Sequence, residues 1–180
     1  MVIFLLILLL LIVFISSVAA VLFLIGLIQS RGVPYVPLNK KQLNSIKKYV
    51  NLSQDDKLVD LGCGDGRVLR LFEKQGVKDL VGYEINFPVC CLAWFKNLVF
   101  RSKVKVYYKN FNKVDLSVYN KAFCYLLPKY LERMKDKLDK EMQGSTVISY
   151  GFKIKGWQPD DIIHTDKDNK QLGRIFIYKI

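Results

Sequence analysis

The first thirty residues carry no charged side chain, and the whole 180-residue chain has one histidine, His164, and four cysteines. Each scarcity excludes something. Cys63, Cys90, Cys91 and Cys124 fall into no metal-ligand spacing, and the adjacent pair 90–91 makes a poor disulfide. All four are therefore read as reduced structural residues, and no metal site is expected. Clusters of arginine with aromatics are missing too. The 28 basic residues, set against 16 acidic ones for a formal charge of +12, are mostly lysines spread thinly after residue 30. That distribution suits a solvated surface or an anionic membrane face, and no nucleic-acid partner is expected.

The uncharged leader is what the charge deficit leaves. Residues 2–28 form an apolar run longer than the roughly 20 residues that cross a bilayer, so one transmembrane helix is expected over 1–30. A cleaved signal peptide is the competing reading, because Ser17-Val18-Ala19 offers small residues at a cleavage spacing. Against it, no basic residue precedes the run, and the apolar stretch continues through 21–25. Arg31, Lys40, Lys41, Lys47 and Lys48 follow the span closely, which places the body on the cytoplasmic side.

Residues 31–56 read as a linker and one helix. Pro34 and Pro37 stiffen the linker, and Asn39 is suited to cap a helix whose Leu43, Ile46 and Val50 share a stripe. From residue 57 to 180 apolar runs alternate with helical patterns. Strands are expected at 57–61, 80–85, 104–108, 122–127 and 146–152, with helices at 67–75, 88–100 and 129–142. The alternation predicts an α/β domain on a mostly parallel sheet. Two further runs, 161–164 and 174–178, are joined by a stretch too short and polar for a crossover helix, so a C-terminal antiparallel hairpin is expected, with reversed strands at one end of the sheet.

In such a sheet the ligand crevice opens at the carboxyl ends of the strands. "LVDLGCGDGRVL", 58–69, places Asp60 there and then Gly62, Gly64 and Gly66, which let a ligand approach the backbone. Glu84 ends the next strand 24 positions after Asp60, where a carboxylate can accept ribose hydroxyls. A dinucleotide fingerprint would want glycine at 67, where Arg67 stands, and has no use for an acid beside a pyrophosphate. A donor with an ammonium, a sulfonium and no phosphate suits these acids better, which points to S-adenosylmethionine.

The motif resembles the first motif of class I S-adenosylmethionine-dependent methyltransferases, and "LVGYEIN", 80–86, resembles their second. "PYVPLNKKQLNSI", "GYEINFPVCCLAWF" and "YLLPKYLERMKDKLDKEM" are similar to membrane-tethered protein-lysine methyltransferases, typified by those that modify the adenine nucleotide translocase and the ATP synthase c subunit. The resemblance implies a Rossmann-like fold after one transmembrane helix. It implies Gly62, Cys63, Gly64 and Gly66 around the methionine part of the donor, Asp60 and Asp65 on its ammonium side, Glu84 on the ribose, Ile85 on adenine, and Asn110-Phe111 near the adenine amino group. Asn110 stands where an acid is common, and a turn residue is the alternative reading. Tyr125, ending the fourth strand in "FCYLLP", is the polar group expected near an incoming amine, with ordinary strand packing as its alternative. His164 and Trp157 read as structural. The expected partners are a membrane-embedded or membrane-associated protein substrate and the lipid bilayer. A lipid or quinone methyltransferase, or a catalytically silent binding protein, would share the same donor motif and tether.

Overall fold

The computed structural model describes residues 1–29, 35–165 and 173–180; Arg31 and Pro34 of the expected linker, and 166–172 of the polar connection, lie outside the described residues. Helix α1, Val2–Gln29, is long and apolar enough to cross a membrane. Its only hydroxyls donate back along the helix, Ser16 to the Ile12 carbonyl and Ser17 to that of Val13, both at 2.8 Å, so neither needs water.

Helix α2, Lys40–Tyr49, starts as its sequence dictates. Asn39 accepts from the Gln42 N–H at 2.9 Å, and the Gln42 side chain accepts from the Asn39 N–H at 2.8 Å, closing a capping box. Ile46 and Val50 bury fully in the main core, so this helix is a working part of the domain's packing.

Seven strands follow: β1 Lys57–Leu61, β2 Asp79–Glu84, β3 Lys105–Tyr108, β4 Lys121–Cys124, β5 Thr146–Tyr150, β6 Asp161–His164 and β7 Arg174–Lys179. They form one sheet in the order β3-β2-β1-β4-β5-β7-β6. The first five run parallel, as their spacing predicts, with α3 Arg67–Glu73, α4 Phe87–Val99 and α5 Pro128–Glu141 as crossovers. The C-terminal hairpin forms, but only β7 is reversed. It inserts between β5 and β6 and runs against both, so β6 returns to the common direction.

The sheet is packed on both faces. Leu58, Phe123 and Ile148 meet α2, α3 and α4 on one side, and Val59, Leu61 and Val147 meet Leu131, Met134 and Leu138 of α5 on the other. Expected strands that reached 127 and 152 stop at Cys124 and Tyr150. The chain leaves the sheet at Tyr125 toward Pro128, which opens α5, and at Gly151, whose φ is +83°. The chain steps outward from β1 to β2 and β3 and then crosses back to β4, so the topological switch lies between β1 and β4.

Candidate functional site

A cavity of about 360 Å³ opens at the carboxyl ends of β1, β2 and β4, within the size range of small-molecule sites. The turn after β1 shapes its floor. Gly62, Gly64 and Gly66 all have positive φ, at +80°, +57° and +76°, conformations that side chains with a Cβ resist. The turn is stitched to β2, because the N–H groups of Gly62 and Cys63 both donate to the Tyr83 carbonyl, at 2.9 and 3.1 Å. Glu84 completes the seam. One carboxylate oxygen accepts from the Gly64 N–H at 2.9 Å and the other from the Asn86 N–H at 2.8 Å. Burial pushes the Glu84 carboxyl up, opposed by backbone N–H groups of Asn86, Gly64 and Ile85.

Asp60 is 3% exposed yet lines the cavity, and among the described residues no hydrogen bond reaches its carboxylate. Burial, with the charges of Glu84 and Asp65 nearby, pushes its carboxyl well above the usual range. A carboxylate that opens on the cavity with no hydrogen bond among the described residues, near a second acid, is an arrangement that awaits a cation.

Asp65 has a different assignment from the one its sequence position suggests. It borders the cavity, but its carboxylate is held by Arg67 at 2.8 Å and by Lys96. Burial works against its charge, yet hydrogen bonds from Arg67 and Lys96 hold its carboxyl well below the usual range. It fixes the loop to α3 and α4, and an ammonium would have to compete with two cations already in place. Gly66 is likewise no lining residue. A Cβ there would stand 3.0 Å from the Arg70 guanidinium, so this glycine serves the close start of α3.

Ile85, Phe111 and Tyr125 line the cavity, as do Gly62, Cys63 and Gly64. Asn110 does not. Its side chain accepts from the Asn112 N–H at 2.9 Å and caps the short 3-10 helix Phe111–Lys113, the turn role weighed as its alternative. His164 is exposed on β6, and Trp157 packs on Tyr178 at 5.5 Å between ring centroids.

Three features escape sequence reasoning. The Tyr35 ring lies over the glycine turn, where a Gly64 Cβ would come within 2.7 Å of it, and its hydroxyl accepts from Arg67 at 3.2 Å. Burial, with the Asp65 charge, pushes the Tyr35 phenol up to about 12. Arg67 also donates to the Leu38 carbonyl, so the segment before α2 straps the donor side of the cavity. Gly82, inside β2, makes room for Cys63, whose Sγ would stand 2.6 Å from a Cβ at 82. A glycine inside a strand pattern is the signal that could have found it. From the segments that follow β4 and β5, Leu126, Leu127, Tyr130 and Phe152 join Tyr125 in an apolar and aromatic wall, with Leu126 against Gly62.

The residues present fit S-adenosylmethionine. Asp60 would meet its ammonium, Glu84 keeps lone pairs for ribose hydroxyls, the glycines leave room at the turn, and a pyrophosphate would be repelled by the two acids.

Comparisons with known proteins agree with this geometry. The family model described as the ANTKMT methyltransferase domain matches residues 60–161. A protein-lysine N-methyltransferase of Saccharolobus islandicus (strain REY15A) is 35% identical over 152 residues, covering 82% of this chain and 94% of that protein. The adenine nucleotide translocase lysine N-methyltransferase of Mus musculus is 29% identical, with 82% of this chain and 63% of that protein covered. The Homo sapiens lysine N-methyltransferase of the ATP synthase c subunit is 31% identical over 72% of this chain, which spans 56% of that protein. Among solved structures, an RNA methyltransferase from Salinibacter ruber in complex with S-adenosyl-L-homocysteine superposes with a TM-score of 0.71 at 24% identity, covering 81% of this chain and 94% of that one. The ribosomal protein L11 methylase of Lactobacillus delbrueckii subsp. bulgaricus gives 0.62 at 16% identity, covering 82% and 90%. At these identities the two structures speak for the fold.

Proposed function

We propose, from the premise that this chain belongs to the ANTKMT methyltransferase domain family and is an S-adenosylmethionine-dependent methyltransferase, that it methylates a lysine amine of a membrane-associated protein. The observation that carries the reading is the pairing of two buried acids from β1 and β2, Asp60 and Glu84, with an apolar and aromatic wall from the segments after β4 and β5. When bound, the donor supplies an electrophilic methyl group on a sulfonium.

The chain's own residues do the rest. Asp60 and Glu84 hold and orient the donor, and the Gly62–Gly66 turn lets it lie against the backbone. A free lysine is mostly protonated at neutral pH, with a reference pKa near 10.4. The apolar wall of Leu126, Leu127, Tyr130 and Phe152 favours the neutral amine by desolvation and excludes water from the approach. Tyr125 lines the cavity beside them. Burial raises its pKa, so it stays a neutral phenol able to accept from or donate to the amine and hold it in line. Transfer of a methyl to a neutral amine leaves a proton for solvent, so no strong base is required.

Helix α1 supports anchoring in the bilayer, and the lysines at 40, 41, 47 and 48 support a cytoplasmic body. The test uses the full-length chain with methyl-labelled donor and isolated membranes. Label recovered as methyl-lysine after protein hydrolysis is the expected result. Label recovered in the lipid extract would overturn the substrate class.

A further inference from the structure

We propose that α4 is a second membrane contact, lying with its outer face in the headgroup region of the bilayer that α1 crosses; this rests on the anchoring reading given above. The inner face of α4 is occupied by Val89, Cys90, Ala93 and Asn97, all buried. Its outer face should then be polar, as on any surface helix. Instead Leu92, Phe95, Leu98 and Val99 stand outward, with Phe95 62%, Leu98 78% and Val99 58% exposed, and Phe100 continues the patch at 60%. At 100° per residue the outward arc from Trp94 round to Leu92 contains no charged side chain, and the Trp94 indole N–H at its edge is already satisfied by the Val106 carbonyl at 2.8 Å. Lys96, the helix's one cation, sits beyond this arc and is spent on Asp65.

Two observations identify lipid as the occupant. The first is continuity with the span. The chief contact of α1 with the domain is α4, and the Asn86 amide at the N-cap of α4 donates to the Gly26 carbonyl at 3.2 Å. Gly26 lies within one helical turn of the end of the apolar run, so α4 begins close to where the span reaches the headgroups. Its 13 residues extend only about 20 Å from that point. The second is charge. Arg101, Lys103, Lys105 and Lys109 are exposed on the turn and edge strand that follow α4, which suits anionic headgroups beside an apolar face. Ile85 and Asn86 line the cavity and lead directly into α4, so this contact sets the β2 side of the cavity close to the membrane surface.

The chain's two tryptophans make the test simple, because Trp94 lies on α4 and Trp157 packs against β7. Full-length protein carrying Trp157→Phe is reconstituted in anionic vesicles with and without brominated lipid. The expected result is a blue shift of Trp94 emission and about twofold quenching by brominated chains, since an interfacial helix buries its face roughly 5–10 Å. Phe95→Glu with Leu98→Glu should abolish the quenching while the protein stays in the carbonate-washed pellet. A protein that stays in the pellet with Trp94 unquenched would overturn the α4 contact and leave the anchor standing. Unquenched Trp94 together with a doubled mass in detergent would instead assign the face to a second copy. Release from the membrane by carbonate would overturn the anchor and this inference with it.

Discussion

Glu84 both clamps the glycine turn and borders the donor cavity, so its removal should register twice. Glu84→Ala is expected to weaken donor affinity by about 1.5–3 kcal/mol, roughly 10- to 150-fold, because a hydrogen bond to a charged acceptor is lost. It should also lower the melting temperature, since Gly64 and Asn86 lose their acceptor. Calorimetric titration showing unchanged affinity would remove Glu84 from the site. Asp60 should behave in the opposite sense on stability. Its raised carboxyl pKa means that the folded protein favours the protonated form; that stability is fully present below the unfolded value near 3.9 and lost as pH rises through the folded value. Asp60→Asn should therefore make the free protein more stable at neutral pH while weakening donor binding. A cationic donor prefers the carboxylate, so wild-type affinity should fall by up to about tenfold per pH unit as Asp60 becomes protonated, a slope that Asp60→Asn removes. Thermal melts and titrations across pH check both signs. At this scale the placing of Gly62, Gly64, Asp60 and Glu84 at the cavity was legible because backbone conformation and strand-end position leave a local trace, whereas Gly66 serves the start of α3. Asp65 and Asn110 were not, because their partners Arg67, Lys96 and Asn112 compete with a ligand for the same atoms and nothing in the residue order decides that contest. Tyr35 was invisible as a lid, since an aromatic between two prolines has no periodicity to read.

The helices and strands were legible to within a few residues, because each carries its own period and its own stop. In α5, Leu131, Met134 and Leu138 recur at helical spacing and are almost fully buried. Leu138→Ala should cost about 2–5 kcal/mol of stability by loss of packing and an unfilled cavity, read from denaturant midpoints, with donor affinity per folded molecule unchanged. A cost near zero would mean that α5 is loosely attached. The hairpin of β6 and β7 was legible too, but the insertion of β7 beside β5 was not. Alternation within a strand states that it has two faces and is silent on which strand will be its neighbour. The same limit applies to α4, whose apolar residues on every side hid the difference between the face on the sheet and the face left outside.

Across the whole molecule, one end is uncharged and the other carries all of the +12, which is the division of labour expected of a tether and an enzyme held at an anionic surface. Deleting residues 1–30 should preserve the fold, because the main core is built from residue 38 onward, and should reduce methylation of membrane protein, because anchoring raises the effective concentration of a partner in the same bilayer. The remaining activity of the truncated protein should fall with salt as the lysine contacts are screened. Equal rates for both forms on membranes would assign the span another purpose. The most direct measurement compares tryptic peptides of membranes from cells lacking this chain, complemented either with the wild type or with Gly64→Val, whose side chain would collide with Tyr35 at the turn. Quantitative mass spectrometry should find methylated lysine on a membrane-protein peptide with the wild type and only the unmodified peptide with the variant. Identical methyl-lysine profiles in the two membranes would contradict the assignment.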